Sequence, residues 1–202
     1  NDQLPLLADE ICQLMDYEMV LPMNSGAEAV ETALKAARRW GYQTKGIPDQ
    51  RAEIIACAHN FHGRTITVLS MSTVGQYRDG FGPYTPGFLT VPYGDAEALE
   101  RAITDHTAAF LVEPIQGEAG VIVPPDGYLR AVREICDRHN VLMIADEIQS
   151  GLGRAGKFFA CDWEGVKPDL VTIGKALSGG MMPVSAVLGT EAVMELFDAG
   201  SH

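Results

Sequence analysis

Positive charge is scarce in this sequence: 15 Lys and Arg residues stand against 27 Asp and Glu, a formal net charge of −12 over 202 residues. A chain so acidic does not attract polyanions, which excludes nucleic acid and an anionic membrane face as its main partners. Cysteine is also sparse. Cys12, Cys57, Cys136 and Cys161 are irregularly spaced and form no C-x-x-C pair, so neither a metal centre nor a redox dithiol is indicated. A chain of this length needs no disulfides, and a reducing, cytoplasmic setting is expected. No apolar run approaches the roughly 18 residues that span a bilayer. Asn1-Asp2-Gln3-Leu4-Pro5 has neither the basic nor the apolar stretch of a signal peptide. Repeats, low-complexity blocks and linkers are missing as well. Hydrophobic residues nonetheless make up 47% and charged residues 21%, values of a globular protein, and a single domain over residues 1–202 is expected.

What the sequence does contain is alternation. Short apolar runs recur at 19–21, 54–58, 88–91, 108–112, 141–145, 170–173 and 185–188. Most are continuous, as strands buried on both faces require. Helical patterns lie between them. Ala29, Val30, Ala33, Leu34, Ala37 and Trp40 make one apolar stripe, with Glu31 and Lys35 placed for an i,i+4 pair. Asp95 and Asp126 stand where caps belong, the second before a face of Leu129, Val132, Ile135, Cys136 and His139. This order predicts an α/β fold: a mostly parallel seven-stranded sheet with helices on both faces. Such sheets bind ligands beyond the carboxyl ends of their strands.

Four of those ends carry chemistry. Ser25 and Glu28 fit a capping box, and Gly26 and Ala27 would leave the helix N-terminus open to a phosphate. In His59-Asn60-Phe61-His62-Gly63-Arg64-Thr65, Phe61 could stack on a planar ligand and Arg64 could bind a carboxylate in bidentate fashion. Asp146, directly after an apolar strand, is the acid a protonated pyridine nitrogen needs. Lys175 stands alone between Val171-Thr172-Ile173-Gly174 and Ala176-Leu177; partial desolvation there would free its amine for imine chemistry. A phosphate cradle, a stacking aromatic, an acid for a ring nitrogen and an imine-forming lysine together meet the needs of pyridoxal 5'-phosphate (PLP).

Two further motifs compete with these. Gly151-Leu152-Gly153-Arg154-Ala155-Gly156 satisfies G-x-G-x-x-G, but no strand abuts it and no long helix follows. It therefore reads as a glycine-rich surface loop near the ring site rather than a dinucleotide site. In Glu113-Pro114-Ile115-Gln116-Gly117-Glu118, local hydrogen bonding suits Glu113 and a place at the substrate mouth suits Glu118.

These segments, in this order, resemble the class III aminotransferases among the fold type I PLP enzymes. The resemblance rests on Asn24–Ala29, Asn60–Thr65, Gly80–Pro83, Glu113–Glu118, Ala145–Gln149 and Gly174–Gly180, and runs from about Leu14 to the end. Within the family, Trp40-Gly41-Tyr42, Lys45-Gly46 and Ile115–Gly120 look most like the members acting on the δ-amine of ornithine. Acetylornithine and 4-aminobutyrate aminotransferases come next. The resemblance implies that Lys175 forms the Schiff base, Asp146 holds the pyridinium nitrogen, and Phe61 and Ile148 sandwich the ring, with His62 beside it. It also implies that Gln149 reaches the ring hydroxyl and that Ser25, Gly26 and Ala27 bind the phosphate. Arg64 would take the substrate carboxylate, and Glu118 would manage a second arginine from another domain. It implies amino acid and 2-oxo acid substrates and a homodimer, with the mitochondrial matrix as the alternative location. Family members extend further at both ends, so the chain is expected to be the large cofactor domain of a longer enzyme. An inactive cofactor-domain fragment needing a complementary chain is the competing reading from the binding class, and a nucleotide-binding oxidoreductase the third.

Overall fold

The computed structural model describes residues 2–202. Helix α1 (Gln3–Met15) leads into strand β1 (Met19–Met23) and the long helix α2 (Gly26–Gln43). Strand β2 (Glu53–Cys57), short helices α3 (Ile66–Ser70) and α4 (Gly75–Arg78), and strand β3 (Phe88–Val91) follow. Then come α5 (Ala96–Ala102), β4 (Thr107–Val112), α6 (Tyr128–Arg138), β5 (Leu142–Asp146), β6 (Leu170–Ile173), β7 (Ser185–Gly189) and α7 (Glu191–Met194). The seven strands form one sheet in the order β1-β7-β6-β5-β4-β2-β3. Only β7 runs against its neighbours, β1 and β6; the remaining pairings are parallel. The expected α/β architecture is therefore what the chain adopts.

The continuous apolar runs become strands because both faces of the sheet are covered. β4, β5, β6 and β7 are buried along their whole length, whereas the edge strands β1 and β3 are partly exposed. One core lies under α1 and α6, the other under α2 and α7. The α2 stripe is buried as expected, and its alanines let the helix lie close against the sheet.

Three local expectations give way. Asp126 does not cap α6; Gly127, at φ 82°, takes the N-cap position, and the Glu164 carboxylate accepts from the Gly127 and Arg130 N–H groups. His139 ends α6 as its exposed C-cap and takes no part in the buried face. Glu31 accepts from the Thr65 hydroxyl and makes no ion pair with Lys35. In the first and third cases a partner distant in sequence replaces the local one. Among the described residues, no helix is long and apolar enough to cross a membrane.

Candidate active site

β1, β2, β4, β5 and β6 all run the same way, so their carboxyl ends meet at one edge of the sheet. The segment after β1 turns directly into α2. There Ser25 Oγ accepts from Glu28 N–H, while the Glu28 carboxylate accepts from the N–H groups of Asn24 and Ser25. This capping box uses the hydroxyl and amide of Ser25, so the open N–H groups of the first turn belong to Gly26 and Ala27. Gly26 packs closely here: a Cβ on it would lie 3.1 Å from the Ile148 side chain, which would have to give way.

After β2 the chain is pinned by Asn60, whose buried amide donates to the Cys57 and Met71 carbonyls. This presents Phe61, His62 and Gly63 towards α2. Gly63 has φ 123°, and a Cβ on it would lie 2.9 Å from Ala27; only glycine lets the two segments approach so closely.

At the end of β5, Asp146 is the strand's last residue, 5% exposed, and β6 lies beside it. Its Oδ2 lies 2.7 Å from His62 Nδ1, which donates to it. Its Oδ1 accepts from the Thr172 hydroxyl at 3.0 Å and from the Ile148 N–H at 3.2 Å. A carboxylate that simply marked the chain's emergence into water would be exposed, and neither Asp146 nor Glu147 is. Burial disfavours the charged form of His62, but the hydrogen bond and charge of Asp146, with the charge of Glu113, outweigh it and raise the pKa.

Glu113 follows β4. It is 4% exposed, and its Oε2 accepts from the Phe61 N–H at 3.0 Å. Burial pushes its carboxyl up to about 7; the charge of His62 opposes this and that of Asp146 adds to it. Gln149 is held near the same loop: a Cβ on Gly117 would lie 2.7 Å from its Oε1.

Lys175 opens the turn after β6 at φ 41°, a strained backbone for a residue with a side chain. The desolvation expected around it is not found, for Lys175 is exposed. Its small and apolar neighbours enter a glycine-rich turn, 179–180, that leaves its side open to solvent.

The outcome is one cavity of about 140 Å³ lined by Gly26, Ala27, Phe61, His62, Gly63, Asp146, Ile148, Gln149 and Lys175. Eight residues expected at a single site therefore converge. Three do not line it. Ser25 is held in its cap, and Glu118 borders a neighbouring cavity of about 370 Å³ with His59, Asn60 and Tyr77. Arg64 stacks outside it over the Phe61 and Tyr77 rings. Thr172 and Tyr77 had no sequence signal of their own, since their roles depend on segments paired at long range. The glycines at 151–156 form turns, and no helix opens within them. They do not line this cavity.

Comparison with known proteins agrees with this geometry. The class-III aminotransferase family model matches residues 1–202. The ornithine aminotransferase of Halalkalibacterium halodurans is 59% identical over the whole chain, which covers 51% of that protein. A structure of the Toxoplasma gondii ornithine aminotransferase, described with partial occupancy of PLP at its active site, superposes with a TM-score of 0.96 at 48% identity. It covers 98% of this chain, which spans 47% of it. The acetylornithine aminotransferase of Elizabethkingia anophelis gives 0.86 at 52% identity, covering all of this chain and 49% of its own. The chain thus spans about half the length of the curated relatives it matches. With the family model matched from end to end and eight of the residues expected at the cofactor site gathered in one cavity, the chain belongs to the class III aminotransferase family.

Proposed function

We propose that the protein transfers the δ-amino group of ornithine to 2-oxoglutarate, giving glutamate semialdehyde and glutamate, as a cytoplasmic homodimer. The observation that carries this reading is the convergence of Lys175, Asp146 and Gln149 on one cavity beside the α2 N-terminus. The named relatives support ornithine as donor. The large exposed side chains of Met181 and Met182, 88% and 74% accessible close to Lys175, support a partner surface there.

Class III aminotransferases work with PLP, and the residues of the cavity fit it. Two buried nitrogens lining the cavity, His62 Nε2 and Gln149 Nε2, have no hydrogen-bond partner, which is unusual for buried polar atoms unless a ligand completes them. When bound, PLP supplies an aldehyde that condenses with amines and a ring that withdraws electrons from the adjoining carbon. Lys175 would provide the amine that attaches it, and its free amine would hold and move a proton at the substrate carbon. Asp146, fixed by three donors, would hold the proton on the ring nitrogen and so favour negative charge developing on the adjoining carbon. Gly26 and Ala27 offer their N–H groups to the phosphate, and Gln149 Nε2 can donate to the ring hydroxyl. Arg64 holds the substrate's carboxylate, leaving the far amine to react.

A second donor, acetylornithine, is favoured by the 52% identity to the Elizabethkingia enzyme. Activity of the PLP-loaded protein with ornithine, acetylornithine and 4-aminobutyrate tests the choice. The largest kcat/KM with ornithine supports the proposal, and a larger value with either competitor overturns it.

A further inference from the structure

Arg64 is the cation assigned to substrate, and no carboxylate of this chain holds it: it makes no ion pair with any described residue. An exposed arginine without a partner samples many rotamers, and that freedom is lost when a ligand binds. Two aromatic rings restrict it instead. The guanidinium lies 5.7 Å from the Phe61 ring centroid and 5.4 Å from that of Tyr77, both within cation–π range. The rings meet edge to face, with centroids 6.0 Å apart and planes at 75°, so each steadies the other. Phe61 lines the cofactor cavity, whereas Tyr77 lines the neighbouring one beside Glu118. Arg64 is thus clamped between a wall of the ring site and a wall of the cavity next to it.

We infer that Tyr77 is a positioning residue that holds Arg64 in place to receive the substrate carboxylate. The inference rests on the reading of Arg64 as the carboxylate site and adds the residue that orients it. Tyr77 is carried on α4 by the 66–85 excursion between β2 and β3, thirteen residues after Arg64. The same excursion is braced by Tyr84, whose hydroxyl donates to the Arg78 carbonyl at 2.6 Å and whose ring lies under the Arg78 guanidinium. The clamp therefore sits on a fixed base. The ring of Tyr77, and not its hydroxyl, faces the cation, so phenylalanine should serve equally well and an aliphatic side chain should not.

The test compares Tyr77→Leu and Tyr77→Phe with the parent in the PLP-loaded protein, using pentanoate as a carboxylate probe that carries no amine. Calorimetric titration should show pentanoate bound about threefold more weakly by Tyr77→Leu and unchanged by Tyr77→Phe, the scale of losing one exposed cation–π contact. Butane-1,4-diamine, an amine without a carboxylate, should bind all three alike. Equal pentanoate affinity in Tyr77→Leu and the parent overturns the inference, as does an equal loss for the diamine. A parent that does not bind pentanoate overturns the reading of Arg64 itself. A second measurement keeps the two separate: peptide mapping after phenylglyoxal treatment should show Arg64 modified severalfold faster in Tyr77→Leu. An unchanged rate there refutes the clamp whatever the substrate.

Discussion

Replacing Glu113 by glutamine should make the protein more stable in alkaline solution and leave it unchanged in acid. The Glu113 carboxyl is 4% exposed, and burial raises it from the ordinary 4.5 to about 7. Between those values the folded protein keeps a proton that the unfolded chain has lost. The stability associated with Glu113 therefore falls as pH rises through that window and is level above it. A rise of that size corresponds to about 3 kcal/mol. Glutamine keeps an oxygen for the Phe61 N–H and carries no charge, so the variant escapes the loss. Urea denaturation of the parent and Glu113→Gln at intervals from pH 5 to 8.5 measures the difference directly. It should be about 1 kcal/mol at pH 5 and grow to about 3 kcal/mol in favour of the variant by pH 8, on the order of 5–10 °C in Tm. A constant offset across the range would refute the reasoning, because it would mean that Glu113 does not titrate between those limits.

Two further outcomes follow from the same geometry. His62→Phe leaves Asp146 Oδ2 buried without its donor and should destabilise the protein by about 3 kcal/mol. Because the His62 pKa is raised in the folded state, that penalty should be full below pH 6.5 and shrink in alkali; a thermal-melt difference that ignores pH would contradict it. Gly117→Ala would bring a Cβ to 2.7 Å from Gln149 Oε1 and push that side chain aside. PLP affinity, followed by absorbance titration, should fall about tenfold for the lost hydrogen bond, and an unchanged affinity would remove Gln149 from the cofactor site.

Most of the sheet could be read from the sequence because β4 to β7 are buried on both faces and so appear as uninterrupted apolar runs. The parallel order then predicted where the strand ends would meet, and Lys175, Asp146 and Phe61 could be placed without knowing any contact. Interactions made across the fold could not be read this way. The Asp126 cap looked sound locally, yet Glu164 satisfies the start of α6 from 37 positions away. Glu31 was matched with Lys35 one turn on, whereas Thr65 reaches it through tertiary packing. The burial of Glu113, which ties the Phe61 loop to β4, follows from the pairing of β2 with β4 and leaves no mark in the residues around it. The exposure of Lys175 follows from a strained turn that composition could not reveal.

The central claim is that the strand-end cavity holds PLP through Lys175. Borohydride reduction of the protein after incubation with PLP, followed by peptide mass spectrometry, tests it most directly. A stable pyridoxyl adduct on the peptide containing Lys175, absent from Lys175→Ala, is the expected result. An adduct confined to other lysines, or one that survives the substitution in the same amount, would contradict it.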